Sequence, residues 1–185
     1  MVTNSYLNLG DKGISPHRLA DARPGIITSE LRCFDFEGEW ADFRGFDMMA
    51  VTATGYVASE GAVDAPQMPV QVILADYLAA YAAAAGITAA LVHRTREGGS
   101  YVVRTSLSRM AMWAQELGLL DRSALDGTRP MLDVTKQTEL PLQTINGPCG
   151  EITYLPSQIA MPDIVPRFRR GPQPLGSARL EWPDE

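Results

Sequence analysis

The stretch Ala75-Asp76-Tyr77-Leu78-Ala79-Ala80-Tyr81-Ala82-Ala83-Ala84-Ala85-Gly86-Ile87 sets one carboxylate among small apolar side chains. Between Gln71 and His93, Asp76 is the only side chain that is charged at neutral pH. A charge in apolar surroundings is costly unless it is capped, paired or used. The alanine content reads as a long helix, stopped near Arg96-Glu97-Gly98-Gly99 by two glycines that supply a C-terminal break. Residues 72–92 are long enough to cross a bilayer. Their alanines transfer only weakly, however, and Asp76 alone costs about 3 kcal/mol at a bilayer centre. The reading is a buried helix of a soluble protein, with no membrane partner.

Working outward, Ser15-Pro16-His17-Arg18-Leu19 places a serine cap and a proline at the first helical position. The rest of the first thirty residues reads as loop and short helix. Residues 26–34 read as a strand after the turn Arg23-Pro24-Gly25, and residues 35–45 as an irregular loop. Asp47 can cap a short helix running through Tyr56, and residues 61–69 are a linker rich in breakers. Tyr101-Val102-Val103-Arg104-Thr105 is β-rich and one turn beyond the long helix, so it packs back on it. Ser106 then caps a helix whose Leu107, Met110, Ala111, Ala114 and Leu117 recur at helical spacing. Alternating strand, helix and strand predict a layered α/β fold. Further on, Asn146-Gly147-Pro148-Cys149-Gly150 separates two β-prone runs as a hairpin loop. The last thirty residues are proline-rich and read as an extended tail over another surface. Two segments of one domain are expected: residues 1–120, carrying Asp76, and residues 121–185, comprising linker, hairpin and tail.

Composition removes several classes of function. The 185 residues suffice for one domain with a core, or for a large piece of a bigger unit, and 45% hydrophobic with 21% charged residues is globular. The net charge of -6 balances 16 Lys and Arg against 22 Asp and Glu, with basic residues concentrated only at Arg167-Phe168-Arg169-Arg170. Nucleic acid is thereby excluded as a partner, since it needs a basic face. Cys33 and Cys149 form neither a metal knuckle nor a disulfide framework, which fits reduced thiols in a cytoplasmic protein and no metal site. The N-terminus, Met1-Val2-Thr3-Asn4-Ser5-Tyr6, carries no signal-peptide pattern.

Two readings of Asp76 stay open on the residues alone. If residues 70–75 are extended, Asp76 is the N-cap of a helix starting at Tyr77. The same position is also chemically useful: a helix N-terminus keeps a carboxylate ionised, apolar neighbours exclude water, and a dry carboxylate attacks activated acyl groups. The other polar candidates read as structure. His93 is a cation at a helix C-terminus, His17 is solvated, Glu97-Gly98-Gly99-Ser100 is a turn because it follows a helix, and Trp40, Trp113 and Trp182 are packing residues.

Asp76-Tyr77-Leu78, Gly86-Ile87-Thr88-Ala89-Ala90-Leu91, Arg94, Glu97-Gly98-Gly99-Ser100-Tyr101 and Val103-Arg104-Thr105-Ser106-Leu107, in that order, resemble the central block of the family III CoA-transferases. That family includes formyl-CoA transferase and the carnitine and bile-acid CoA-transferases. Arg23-Pro24-Gly25-Ile26-Ile27 resembles the family's approach to a core strand. Gly38-Glu39-Trp40-Ala41 with Gly45-Phe46-Asp47 resembles its Gly-Pro-Trp and Gly-Phe-Asp loop, and Pro174-Leu175-Gly176-Ser177 with Glu181-Trp182 resembles its ending. The resemblance implies the back half of that family's large α/β domain, with a long alanine-rich helix and an extended proline-rich C-terminal tail. It implies transfer of coenzyme A between carboxylates, with Asp76 as catalytic nucleophile forming a mixed anhydride and then an aspartyl-CoA thioester. Coenzyme A thioesters and carboxylic acids are then substrates, and no tightly bound cofactor is implied. Asn4 and Asp47 fall, by the same resemblance, in the neighbourhood of the coenzyme. The family's interlocked dimers imply a homodimer, or association with a chain that supplies the coenzyme-binding half.

The departures carry expectations too. Racemases of the family have a His where Phe46 stands, which disfavours racemisation. Glu39 replaces a usual Pro, and no Arg-Pro-Gly follows the aromatic in Asn4-Ser5-Tyr6-Leu7-Asn8. A counterpart of the family's N-terminal nucleotide-fold half is absent from the chain, so the competing expectation is a truncated, non-catalytic paralogue serving as a binding or assembly subunit.

Overall fold

The structure is a computed structural model that describes residues 2–3, 9–10, 12–69, 73–125, 141–157, 159, 161–179 and 181. The chain divides into two compact units, residues 1–124 and 125–185. In the first unit the order is β1 (Val2–Thr3), α1 (Pro16–Ala22), β2 (Ile27–Arg32), α2 (Asp47–Ala53), α3 (Tyr56–Glu60), α4 (Leu74–Glu97), β3 (Tyr101–Ser106) and α5 (Leu107–Glu116), and a 3-10 turn at Arg122–Leu125 runs across the end of the unit.

The sheet is parallel, in the order β1-β2-β3, with Val2 opposite Ser29 and a register from Ile27 opposite Tyr101 to Arg32 opposite Ser106. Parallel neighbours need a crossover, and α2, α3 and α4 provide it between β2 and β3. β2 is the central strand and buries Ile27, Thr28 and Ser29 in succession, the continuous pattern of a strand covered on both faces. The sequence reading placed only loop and short helix before β2. A two-residue strand such as β1 is too short to show a period.

Ser15 caps α1 by accepting the Arg18 N–H at 3.3 Å, and Ser106 caps α5 by accepting the Arg109 N–H at 3.3 Å. The expected single helix from Asp47 through Tyr56 is two helices. Gly55, at φ 74°, stands in the left-handed region between α2 and α3, and the Thr54 hydroxyl bends back to the Ala50 carbonyl at 2.9 Å.

The long helix differs from expectation at its start and in its burial. α4 begins at Leu74, so Asp76 lies inside the first turn and is not its cap. Only Ala75, Ala79 and Ala90 of α4 are buried, while Tyr77 is 59% and Tyr81 72% exposed. Alanines present a shallow surface, and here a single i, i+4 stripe at the N-terminal end meets the core. By length and composition alone α4 would suffice to cross a membrane. Within this unit it packs against β2, β3 and α5.

The core joins Cys33, Ala50, Val51, Val57, Ala75, Ala79, Leu107 and Ala111, with Leu31, Phe34, Tyr56 and Met110 packed at its margin. Gly86 sets how closely α4 lies on the sheet, since a Cβ built there would stand 2.7 Å from Val103 Cγ1. Glycine within a helix costs about 1 kcal/mol relative to alanine, so a gain on Gly86→Ala would be expected if space allowed. The β-branched Val103 cannot swing away cheaply. Gly86→Ala is therefore expected to destabilise the unit by about 1–3 kcal/mol, and Val103→Ala in the same chain to restore most of it, as read by denaturant unfolding.

The second unit holds the expected hairpin. β4 (Gln143–Gly147) pairs antiparallel with β5 (Gly150–Tyr154), with Gly147 opposite Gly150. Residues 161–179 form no helix or strand. Phe168 nonetheless stacks edge-on against Tyr154, centroids 5.2 Å apart, and buried Gly171 sits on Gly147 closely enough that an added Cβ would stand 3.0 Å from its Cα. The tail thus folds back on the hairpin of its own unit.

Candidate active site

α4 ends at Glu97 and the chain reverses through Gly98 and Gly99, both at positive φ, into β3. The helix therefore runs against the strands, and its first turn lies at their carboxyl ends, where ligands of open α/β sheets bind. Two contacts mark the alignment. Arg94 Nη1 donates to the Gly25 carbonyl at 2.7 Å before β2 begins, and Asp76 stands close enough to Cys33, just past the end of β2, to affect its ionisation.

At that corner the two acids singled out in the sequence meet. Asp47, only 7% exposed, accepts the backbone N–H groups of Ala75 at 2.7 Å and Asp76 at 3.1 Å through a single oxygen, Oδ2. A helix start leaves four N–H groups without intrahelical partners, and here a carboxylate from another helix takes two of them. Bonds to a charged acceptor contribute about 1.5–3 kcal/mol. The expectation that Asp47 caps its own helix is corrected by this geometry. It is the first residue of α2, Phe46 holds the N-cap position without a side-chain bond, and the Asp47 carboxylate caps α4 instead.

Asp76 itself is exposed. Among the described residues no hydrogen bond engages its carboxylate. Desolvation first, and the negative charge of Asp47 second, raise its pKa above the ordinary aspartate value. The sequence reading had the helix N-terminus keeping a dry carboxylate ionised. The structure reverses that sign, because Asp47 already occupies the N–H groups that would have stabilised Asp76 and adds a like charge beside a partly desolvated carboxylate.

Cys33 completes the corner and was missed as a site residue. It is 1% exposed, its thiol donates to the Phe46 carbonyl at 3.6 Å, and its own carbonyl accepts the Ser108 N–H at 2.9 Å and hydroxyl at 3.0 Å. Burial, then Asp76, then Asp47 push the thiol up to about 11, so it stays protonated and serves as a donor. A Cβ at Gly45 would lie 2.4 Å from Cys33 Sγ, so only glycine lets the loop pass. No sequence period connects positions 33, 45, 47 and 76.

The other expectations divide. His93 faces Glu97 at 3.6 Å, and Arg167, Arg169 and Arg170 are exposed in the second unit. Trp40 stacks edge-on with Phe34, centroids 5.2 Å apart. Asn4 and Trp182 lie outside the described residues. Among the described residues no three His, Cys, Asp or Glu side chains group as metal ligands. An open cleft of about 580 Å³ beside the loop is bounded by Phe34, Trp40, Met112 and the acids Asp35, Glu37 and Glu39, a surround that repels phosphates.

The raised pKa has a consequence for stability. The folded value of Asp76 exceeds its unfolded value, so the folded state binds the proton more tightly, and stability drops as pH rises from the unfolded to the folded pKa. Above that window the ionised side chain leaves a constant penalty, softened by solvent at this exposed position. Asp76→Asn is accordingly expected to melt at a higher temperature than the wild type at neutral pH. The gap should close at pH values below the window, as followed by thermal unfolding.

A succinate–glutarate CoA-transferase of Agrobacterium fabrum (strain C58 / ATCC 33970) is 29% identical over 90 residues, which are 49% of this chain and 22% of that protein. Among solved structures, a CAIB/BAIF family protein from Brucella suis superposes with a TM-score of 0.57 at 22% identity, covering 81% of this chain and 40% of that one. Rv3272 from M. tuberculosis, in its orthorhombic form, superposes with a TM-score of 0.56 at 19% identity, covering 79% of this chain and 38% of that one. The two structures share the fold, and this chain spans about two fifths of their length. The profile of CoA-transferase family III matches residues 6–143, most of the chain and all of the corner around Asp76, and the chain belongs to that family.

Proposed function

We propose that this chain takes part in the transfer of coenzyme A between carboxylates, with Asp76 as the nucleophile. The observation that supports this most is the presentation of Asp76: its backbone is held from below by Asp47, while its carboxylate stands exposed and more basic than an ordinary aspartate. An Asp76 oxygen attacks the thioester carbonyl of an acyl-CoA, the C–S bond breaks, and a mixed anhydride forms with release of coenzyme A thiolate. The thiolate attacks the aspartyl carbonyl of the anhydride and expels the first carboxylate, leaving an aspartyl-CoA thioester. The acceptor carboxylate repeats these two steps in reverse order, which regenerates Asp76 and yields the new thioester. No net proton or electron is exchanged.

Asn4 and Asp47 belong to the neighbourhood of the coenzyme on the family resemblance, and the acidic surround of the cleft at Asp35, Glu37 and Glu39 argues that the coenzyme's phosphates lie elsewhere. Racemisation is disfavoured because Phe46, 72% exposed in the loop beside Asp47, cannot carry a proton. Homodimerisation, or association with a coenzyme-binding half, is part of the proposal. A monomer in sedimentation equilibrium would count against the dimer.

One observation favours a second reading. α4 is apolar around most of its circumference yet covered along a narrow stripe, as a helix is when its partner is another chain. On that reading the chain is a non-catalytic assembly subunit. The readings separate when the purified protein is incubated with a panel of acyl-CoA thioesters, trapped with hydroxylamine and mapped by mass spectrometry. A hydroxamate on Asp76 is expected. A folded protein that forms no adduct with any thioester overturns the transferase reading.

A further inference from the structure

Asp47 is too buried to be a solvated acid, and its reach goes beyond its own helix. We infer that Asp47 is the positioning residue of Asp76: by holding the Ala75 and Asp76 N–H groups at 2.7 and 3.1 Å, it fixes the first turn of α4 and so the direction in which the Asp76 carboxylate leaves the helix. The catalytic part of this inference rests on the transferase reading above. Its structural part does not.

The argument begins at the end of β2. Cys33 is locked there by two bonds from Ser108 at the start of α5, which accept no rotation of its carbonyl. Its thiol donates to the Phe46 carbonyl at 3.6 Å, and its sulfur fills the space over Gly45. Residues 45 and 46 are therefore pinned to the sheet and to α5, and Asp47 follows directly as the first residue of α2. Oδ2 reaches from that anchored point to α4. A reacting carboxylate displaced by about 1 Å loses on the order of a hundredfold in rate, so a fixed first turn matters to the chemistry.

Two charges of one sign at one corner also couple. Among the described residues, Asp47 on α2 and Cys33 after β2 are the titratable groups that face Asp76. Charged groups on the other packed elements are held in ion pairs of their own: Arg104 of β3 with Glu30 of β2 at 2.9 Å, Arg109 with Glu116 of α5 at 3.0 Å, and Arg32 with Asp42 at 3.9 Å. No cation among these offsets the repulsion between the two aspartates.

Asp47→Asn separates the two effects, because the amide keeps an oxygen for the α4 N–H groups and drops the charge. Carboxyl NMR titration of Asp76 is expected to show a lower midpoint in Asp47→Asn than in the wild type, with the acid limb of adduct formation shifted down by the same amount. Asp47→Ala removes the acceptor as well, and its adduct is expected to form about a hundredfold more slowly while circular dichroism still reports a folded protein. An Asp76 midpoint that is the same in the wild type and in Asp47→Asn overturns the inference, whether or not any adduct forms. A midpoint that moves in a protein forming no adduct upholds the coupling and sinks the transferase reading alone.

Discussion

Asp76→Ala is expected to reduce hydroxylamine-trapped adduct by about 10⁴-fold or more, the scale of loss when a covalent nucleophile is deleted. The methyl group that remains offers no lone pair, and the nearest other carboxylate, Asp47, is buried with its Oδ2 committed to the α4 backbone. The fold should survive, because Asp76 is exposed and its N–H, not its side chain, is what Asp47 binds. Asp76→Glu retains the charge and moves it by one methylene, so a loss of about a hundredfold is expected from misplacement alone. Sign follows from the pKa. The ionised form attacks, and desolvation with Asp47 raises the pKa, so the rate should begin to fall at a higher pH than a solvated aspartate would allow. A rate that is unchanged in Asp76→Ala would move the nucleophile to another residue.

Gly45→Ala is the substitution expected to damage the site most through packing. The added Cβ meets Cys33 Sγ at 2.4 Å and Cys33 Cβ at 3.0 Å, and Met49 Sδ stands 3.4 Å away. Relief by moving Cys33 is blocked, since its carbonyl is bound twice by Ser108. Relief by moving the loop carries Asp47 off the start of α4. Overpacking of this kind costs about 1–3 kcal/mol, and adduct formation should fall with it. Cys33→Ala opens space for the new methyl group, so the double variant should be more stable than the sum of the two single losses, a coupling that a double-mutant cycle reads directly. Equal stability of Gly45→Ala and the wild type would show that the loop has more freedom than this packing implies.

The local elements were largely legible. Ser15-Pro16 and Ser106 named two helix starts because a hydroxyl cap acts within three residues of itself. Gly98-Gly99 named the reversal into β3, and the short runs around Asn146-Gly147-Pro148-Cys149-Gly150 named the hairpin, for the same reason of short range. The break at Gly55 was missed because one glycine does not say whether the chain will turn left-handed there. β1 was missed because its pairing with Ser29 and Glu30 is all that makes it a strand.

The candidate site divides along the same line. Asp76 was found from its isolation in an apolar run, and Asp47 from the short helix it opens, but each was given the wrong electrostatic part. Capping was expected of a residue toward its own helix, whereas Asp47 acts on backbone 28 and 29 residues away. That transfer reverses the sign for Asp76, whose helix end is already occupied by another negative charge. Cys33 gave no sequence signal, because a thiol matters here only through what is packed on it.

The α/β class, the long helix and the family could be read from the sequence, and Asp76 singled out as a candidate, since periodicity, caps and an ordered set of motifs are properties of neighbours along the chain. The tertiary structure alone decided which carboxylate caps which helix, why Gly45 and Gly86 must lack a side chain, and that Asp76 is made more basic instead of less. Those outcomes depend on distances between residues remote in sequence, and electrostatic and steric energies follow distance in space.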